Sequence, residues 1–177
     1  MITVTMKLLL YSTLLLCAQF IWAQDPFEDA IAALGQEMSY TYANGDTLSL
    51  SDTPDESLIN AFKQCSGFEG LSGLAKLRFD NITQVKSAAL SKRGSNDAIT
   101  FQEWTLSSQE AAATFTQGLN TPSPRYVQFC VSEGGMMWWQ QADKIYMITS
   151  GSYATTFQYN KIKAVINQGL AGKARQP

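Results

Sequence analysis

A single α+β domain is the fold this sequence predicts, on three observations. Helical stretches with start signals recur near residues 25–38, 53–65 and 107–119. Segments with a two-residue apolar period alternate with them. A hairpin pattern at residues 136–150 is apolar on both faces. Strands joined by short turns imply a mostly antiparallel sheet of about 4–6 strands packed with about four helices. Helices on both faces would explain the two-sided hairpin.

Residues 1–23 read as a cleavable secretory signal. Lys7 gives a positive start, Leu8 to Cys17 an apolar run, and Ala23 a small residue at the cut. The apolar run is about 16 residues even when extended to Trp22, short of the ~20 a spanning helix needs. Cys17 follows Leu14-Leu15-Leu16 rather than the small residue a lipid-attached cysteine prefers. The expectation is therefore an exported chain, periplasmic or secreted, with no transmembrane segment in its mature form. One globular domain spans residues 24–177, and residues 171–177 are its frayed tail.

The first mature helix starts at Asp25-Pro26-Phe27-Glu28, a cap, a first-turn proline and a capping-box acid. Phe27, Ala30, Ile31, Leu34 and Met38 recur at helical spacing behind it. Asn44-Gly45-Asp46 is a turn signal between two short strands. Thr53-Pro54-Asp55-Glu56 repeats the start signal, with Thr53 as the expected cap, and Leu58, Ala61, Phe62 and Cys65 share one face. Gly67, Gly70 and Gly73 end that element.

Ala75, Leu77 and Phe79 alternate with Lys76, Arg78 and Asp80, the pattern of a half-buried strand. Residues 82–92 fit helix and strand equally. Ile99 and Phe101 fall on one phase and Trp104 and Leu106 on the other, which a bulge near Gln102-Glu103 would reconcile. Ser107-Ser108-Gln109-Glu110 opens a short helix through Ala112, Phe115 and Leu119. Val127, Phe129 and Val131 alternate against Tyr126, Gln128 and Cys130 and mark a strand. Met136–Gln141 and Lys144–Ser150 form a hairpin about Ala142-Asp143, which sets Trp139 opposite Tyr146 and Trp138 opposite Met147. Tyr159, Ile162, Ile166, Gly169 and Leu170 stripe a last helix.

Composition excludes several chemistries. The chain has no histidine, so Ser-His-Asp and Cys-His catalysis, histidine-ligated metals and imidazole pH switches are ruled out. Loss of Lys7 with the signal takes 13 basic residues to 12 against 15 acidic ones, a net charge of −3. That balance argues against nucleic acid as partner. Cys65 and Cys130 remain after cleavage, and an even pair in an oxidising compartment reads as a disulfide.

The candidate binding residues are aromatic: Trp104, Trp138, Trp139 and Tyr146, with Tyr153, Phe157 and Tyr159 nearby in sequence. Successive strand residues face opposite ways, so Trp138 and Trp139 cannot enter one core layer. Either the hairpin is a packed two-sided core, which its apolar pattern favours, or one tryptophan is a platform for a protein partner or a small apolar ligand. Met136 and Met137 would add adaptable contact area.

Other constellations are weaker. Glu103 and Glu133 are the best carboxylates for acid–base work. Tyr159-x-x-x-Lys163 has the spacing of a tyrosine–lysine couple, without the glycine-rich nucleotide signature that should precede it. Asn44, Asp46, Asp52, Asp55 and Glu56 are oxygen donors on a turn-rich stretch but match no calcium loop, and turns and helix starts explain them. Asn81-Ile82-Thr83 is an acceptor sequence for glycosylation that a bacterial-looking signal makes irrelevant. No catalytic residue, metal or cofactor is assigned. The expectation is a non-catalytic binding or protein-interaction module of the bacterial envelope. The alternatives are a histidine-independent hydrolase using carboxylates, or a structural envelope component.

Overall fold

A computed structural model describes residues 25–121, 124–132 and 134–172. The signal segment at 1–23, Glu133 and the tail from residue 173 lie outside the described residues.

Six helices and a six-stranded antiparallel sheet make up the described chain, an α+β fold. The helices are α1 (Pro26–Met38), α2 (Glu56–Cys65), α3 (Gln109–Asn120), α4 (Pro124–Val131), α5 (Tyr153–Thr156) and α6 (Tyr159–Leu170). The strands are β1 (Tyr40–Tyr42), β2 (Ser49–Ser51), β3 (Ile82–Lys92), β4 (Ala98–Leu106), β5 (Met136–Gln141) and β6 (Lys144–Ser150). Their order is β1-β3-β4-β6-β5. β1 and β2 do not pair with each other. Both run along the same edge of β3, from Tyr40↔Lys92 to Ser51↔Val85, separated by the 3₁₀ turn at Ala43–Gly45. A broken edge strand of this kind leaves little continuous backbone for another chain to pair with.

Helices cover both faces. On one face α1 and α6 pack Phe27, Leu34, Ile162 and Ile166 against Leu90, Phe101 and Ile148 of the sheet. On the other, α2, α3, α4 and two 3₁₀ turns pack Phe62, Phe115 and Val127 against Val85, Trp104 and Met147. The hairpin divides between these layers as its alternation predicts. Trp139, Tyr146 and Ile148 enter the first core, and Met136, Ile145 and Met147 the second. Its register matches too, with Trp139↔Tyr146 and Trp138↔Met147 about the Ala142-Asp143 turn.

The helix starts follow capping chemistry. Asp25 Oδ1 accepts the Phe27 amide at 3.0 Å and Ser108 Oγ the Ala111 amide at 3.1 Å. At α2 the cap is Asp55, which takes the Ser57 amide at 2.7 Å, and not the expected Thr53.

Three sequence expectations are corrected, and residues 82–92, which fit helix and strand equally, are settled. Residues 75–79 are not a strand. Leu71, Leu74 and Leu77 are buried at a spacing of three, and their amides and carbonyls link in 3₁₀ turns, whose three-residue period eclipses those side chains. Residues 124–131 are a helix, because Val127, Cys130 and Val131 fall on one side at i, i+3 and i+4 while Tyr126 and Phe129 stay exposed. Residues 82–92 are a strand. β4 has no bulge at Gln102-Glu103, since its register with β3 is regular from Gln84↔Thr105 to Ser91↔Ala98. Both phases of β4 are apolar because both faces of the sheet are covered.

α1 and α6 approach closely at Gly169. A Cβ there would collide with the Ala30 Cα and lie 2.7 Å from the Asp29 carbonyl oxygen, both backbone atoms that cannot move aside cheaply. Gly169→Ala should therefore lower unfolding free energy by about 2 kcal/mol in urea titration, overpacking outweighing alanine's better helix propensity. An unchanged midpoint would mean that the two helices are not in contact there.

Candidate functional site

The most concentrated charge lies beneath α1. Glu103 is buried at 1% exposure, flanked across the sheet by Lys86 on β3 and Tyr146 on β6. Its Oε1 receives Lys144 Nζ at 2.7 Å and lies 3.6 Å from Lys86 Nζ. Lys86 in turn reaches both oxygens of Asp25, at 2.6 and 2.8 Å. The chain of charges thus links the cap of α1 to the middle of the sheet. Burial, reinforced by the Glu103 carboxylate, pushes the Tyr146 phenol up far beyond the usual tyrosine range, so it stays protonated.

Asp25 is held below the ordinary carboxylate range. Its partial burial pushes upward, but the Lys86 ammonium and the Phe27 amide outweigh that. A depressed folded-state pKa stabilises the fold above the unfolded value of about 4 and loses that contribution as pH falls through the folded value. The expected result is that Asp25→Asn flattens the acid limb of stability below about pH 4, measured by urea titration across pH. Parallel acid limbs in the two proteins would contradict it.

The predicted aromatic residues are dispersed. Trp104 is fully buried, edge-on to Phe115 at 5.8 Å, with Nε1 donating to Gln102 Oε1 at 3.2 Å. Trp139 and Tyr146 stack at 5.4 Å in the opposite core, and Lys163 Nζ sits 5.4 Å above the Trp139 ring. Trp138 is half-buried on the Trp104 side, its Nε1 donating to Asn120 Oδ1 at 3.0 Å. The four residues therefore form no common surface. Tyr159 and Lys163 do not couple either. The Tyr159 hydroxyl donates to the Gly135 carbonyl at 2.7 Å, and burial raises its pKa instead of lowering it.

A different set of residues meets in a groove on the α2–α4 face. Ser87 on β3, Thr100 and Gln102 on β4 and Thr149 on β6 share one phase of the sheet and form its floor. Leu58 and Ala61 of α2 make one wall, and Val131 with Ser132 makes the other. The volume is about 390 Å³, within the range of small-molecule sites. Beyond Ser87 and Gln102 it continues towards Ser49, Ser51 and Asp55, and past Thr149 towards Ser150 and Gly151.

The floor is rigid. Gln102, 8% exposed, is held between Trp104 Nε1 and Ser87 Oγ, the latter at 3.4 Å. The Cys65–Cys130 disulfide, Cα–Cα 5.9 Å, ties the end of α2 to α4 and so joins the two walls. Asp55 is the one carboxylate among the described lining residues. Hydrogen bonds from the Ser57 hydroxyl and amide hold it below the usual range. No single stretch of sequence signals this groove. The only local hint is that Thr149 follows Ile145 and Met147 on one phase of β6.

Comparison with protein-family models, curated proteins and solved structures gives no match.

Proposed function

We propose that this chain is an exported, non-catalytic binding module whose ligand lies in the groove between α2 and α4. The observation that carries the reading is the groove itself, concave, of ligand size, floored by a packed sheet and walled by two covalently joined helices. Rigid elements hold binding groups to the tolerance recognition needs. The disulfide suits an oxidising compartment, and among the described residues no helix is long and apolar enough to cross a membrane. Both fit the reading of residues 1–23 as an export signal.

The lining shifts the ligand class away from the small apolar molecule that the tryptophans suggest. A purely apolar ligand would leave the hydroxyls of Thr100 and Thr149 dry and unpaired, at about 1–3 kcal/mol each. A carboxylate-based hydrolase needs two acids facing one bond. Glu103 is committed to Lys144 and Lys86 beneath α1, and Asp55 faces the groove without a second acid among the described lining residues.

A thermal-shift screen tests the proposal. Compounds that bind only the folded protein raise its midpoint. Thr100→Trp would fill the groove, and circular dichroism would check that the fold survives. The expected result is stabilising compounds for the native protein that lose their effect in the filled variant. Equal stabilisation of both proteins would place the binding elsewhere and refute the groove.

A further inference from the structure

Resting on that reading, we infer that the groove takes a neutral polyhydroxylated ligand, a saccharide chain, which continues from the groove onto an exposed aromatic strip beside it. The lining contains no lysine or arginine among the described residues, so it offers nothing to neutralise a phosphate, sulfate or carboxylate. Its one carboxylate is already engaged by Ser57. What remains is dense in hydroxyl and amide groups. Ser87, Thr100, Gln102 and Thr149 can each donate and accept, and Ser132, whose hydroxyl hydrogen goes to the Ser150 carbonyl, can accept. Sugar hydroxyls have the same dual character and can satisfy such a surface in return. Leu58, Ala61 and Val131 supply apolar contact for the C–H faces of a sugar ring.

The second observation is independent of the lining. Phe129, Tyr153 and Phe157 stand in a row, with Phe129–Tyr153 centroids 5.8 Å apart and Tyr153–Phe157 5.4 Å apart. They are 40%, 54% and 79% exposed, unlike the predicted tryptophans. The strip is joined through the chain to the residues at one end of the groove. Phe129 lies one helical turn before Ser132, and Tyr153 follows Ser150 and Gly151, all three of which line that end. Ser132 Oγ donates to the Ser150 carbonyl at 3.2 Å and fixes the two segments together. Rings displayed beside a hydroxyl-lined floor give one ligand both hydrogen bonds and stacking, the combination an amphipathic sugar requires.

The test is calorimetric titration of the disulfide-bonded protein with maltohexaose and cellohexaose, and with hexaalanine as a neutral peptide probe. Tyr153→Ala and Phe157→Ala remove exposed rings without touching the core, and Thr100→Trp blocks the floor. The expected result is binding of at least one hexasaccharide, weakened roughly tenfold by each ring deletion and abolished by Thr100→Trp. Binding of hexaalanine alone, lost in Thr100→Trp, would overturn the saccharide assignment and leave the binding module standing. Saccharide binding indifferent to Thr100→Trp would overturn both. No binding by any of the three probes would overturn the saccharide assignment, while the thermal-shift screen decides the groove separately.

Discussion

Replacing Cys65 and Cys130 by serine should lower unfolding free energy by about 4 kcal/mol on the chain-entropy model. The bridge closes a loop of sequence separation 65, so without it the unfolded ensemble regains much freedom. For a domain of this size the loss corresponds to a midpoint roughly 10 °C lower. Calorimetry of the oxidised protein, the reduced protein and the double variant measures it. The oxidised form should stand apart and the other two should agree. The folded state is also affected, because Cys65 ends α2 and Cys130 sits on α4, so reduction frees one groove wall from the other and ligand affinity should fall with stability. Coincident transitions for oxidised and reduced protein would mean that the bridge does not form in solution.

Trp104→Ala should cost about 4 kcal/mol, the usual range for an aromatic removed from a core. The ring is fully buried between Phe79 and Phe115, at centroid distances of 6.3 and 5.8 Å. The substitution also removes the donor that orients Gln102. Trp104→Phe separates the two roles. It keeps most of the packing and loses the indole N–H, for about 1 kcal/mol, yet it releases the groove floor and should weaken any groove ligand out of proportion. Trp138→Ala, at a half-buried ring bonded only to Asn120 by its indole nitrogen, should cost less than Trp104→Ala. Urea titration ranks the three, and equal costs for Trp104 and Trp138 would contradict the burial assigned to them.

What the sequence made legible follows from how local each signal is. The β5–β6 hairpin was readable to the residue because its apolar phases alternate without interruption on both sides of a two-residue turn. α1 and α6 were readable because their stripes repeat over three turns. α4 mimics a strand in sequence because Val127, Phe129 and Val131 give only three alternating positions, which a short helix satisfies equally well. Leu71, Leu74 and Leu77 give no clear signal because their spacing belongs to neither a strand nor an α-helix. The disulfide is legible from compartment and parity, although the helix that carries Cys130 is not.

The groove was the least legible feature. Its floor is contributed by positions 87, 100, 102 and 149 on three strands, and only the register of the sheet sets them on one face. A serine or threonine inside a strand looks, in sequence, like an ordinary polar residue turned to solvent. Glu103 shows the converse. Its place at an expected bulge between Gln102 and Trp104 points to chemistry, while in the fold Lys86 and Lys144 take up its charge. Large aromatic rings serve interfaces and cores alike, and three of the four aromatic candidates, Trp104, Trp139 and Tyr146, are packed inside.

The central claim is that ligand rests on the sheet face between α2 and α4. Backbone amide shift mapping of the folded, oxidised protein during a screen of small polar fragments tests it most directly. Perturbations should converge on Ser87, Thr100, Gln102, Thr149 and Ser132. Perturbations gathered instead around Trp138 and the Ala142-Asp143 turn, or absent from every amide across the screen, would contradict it.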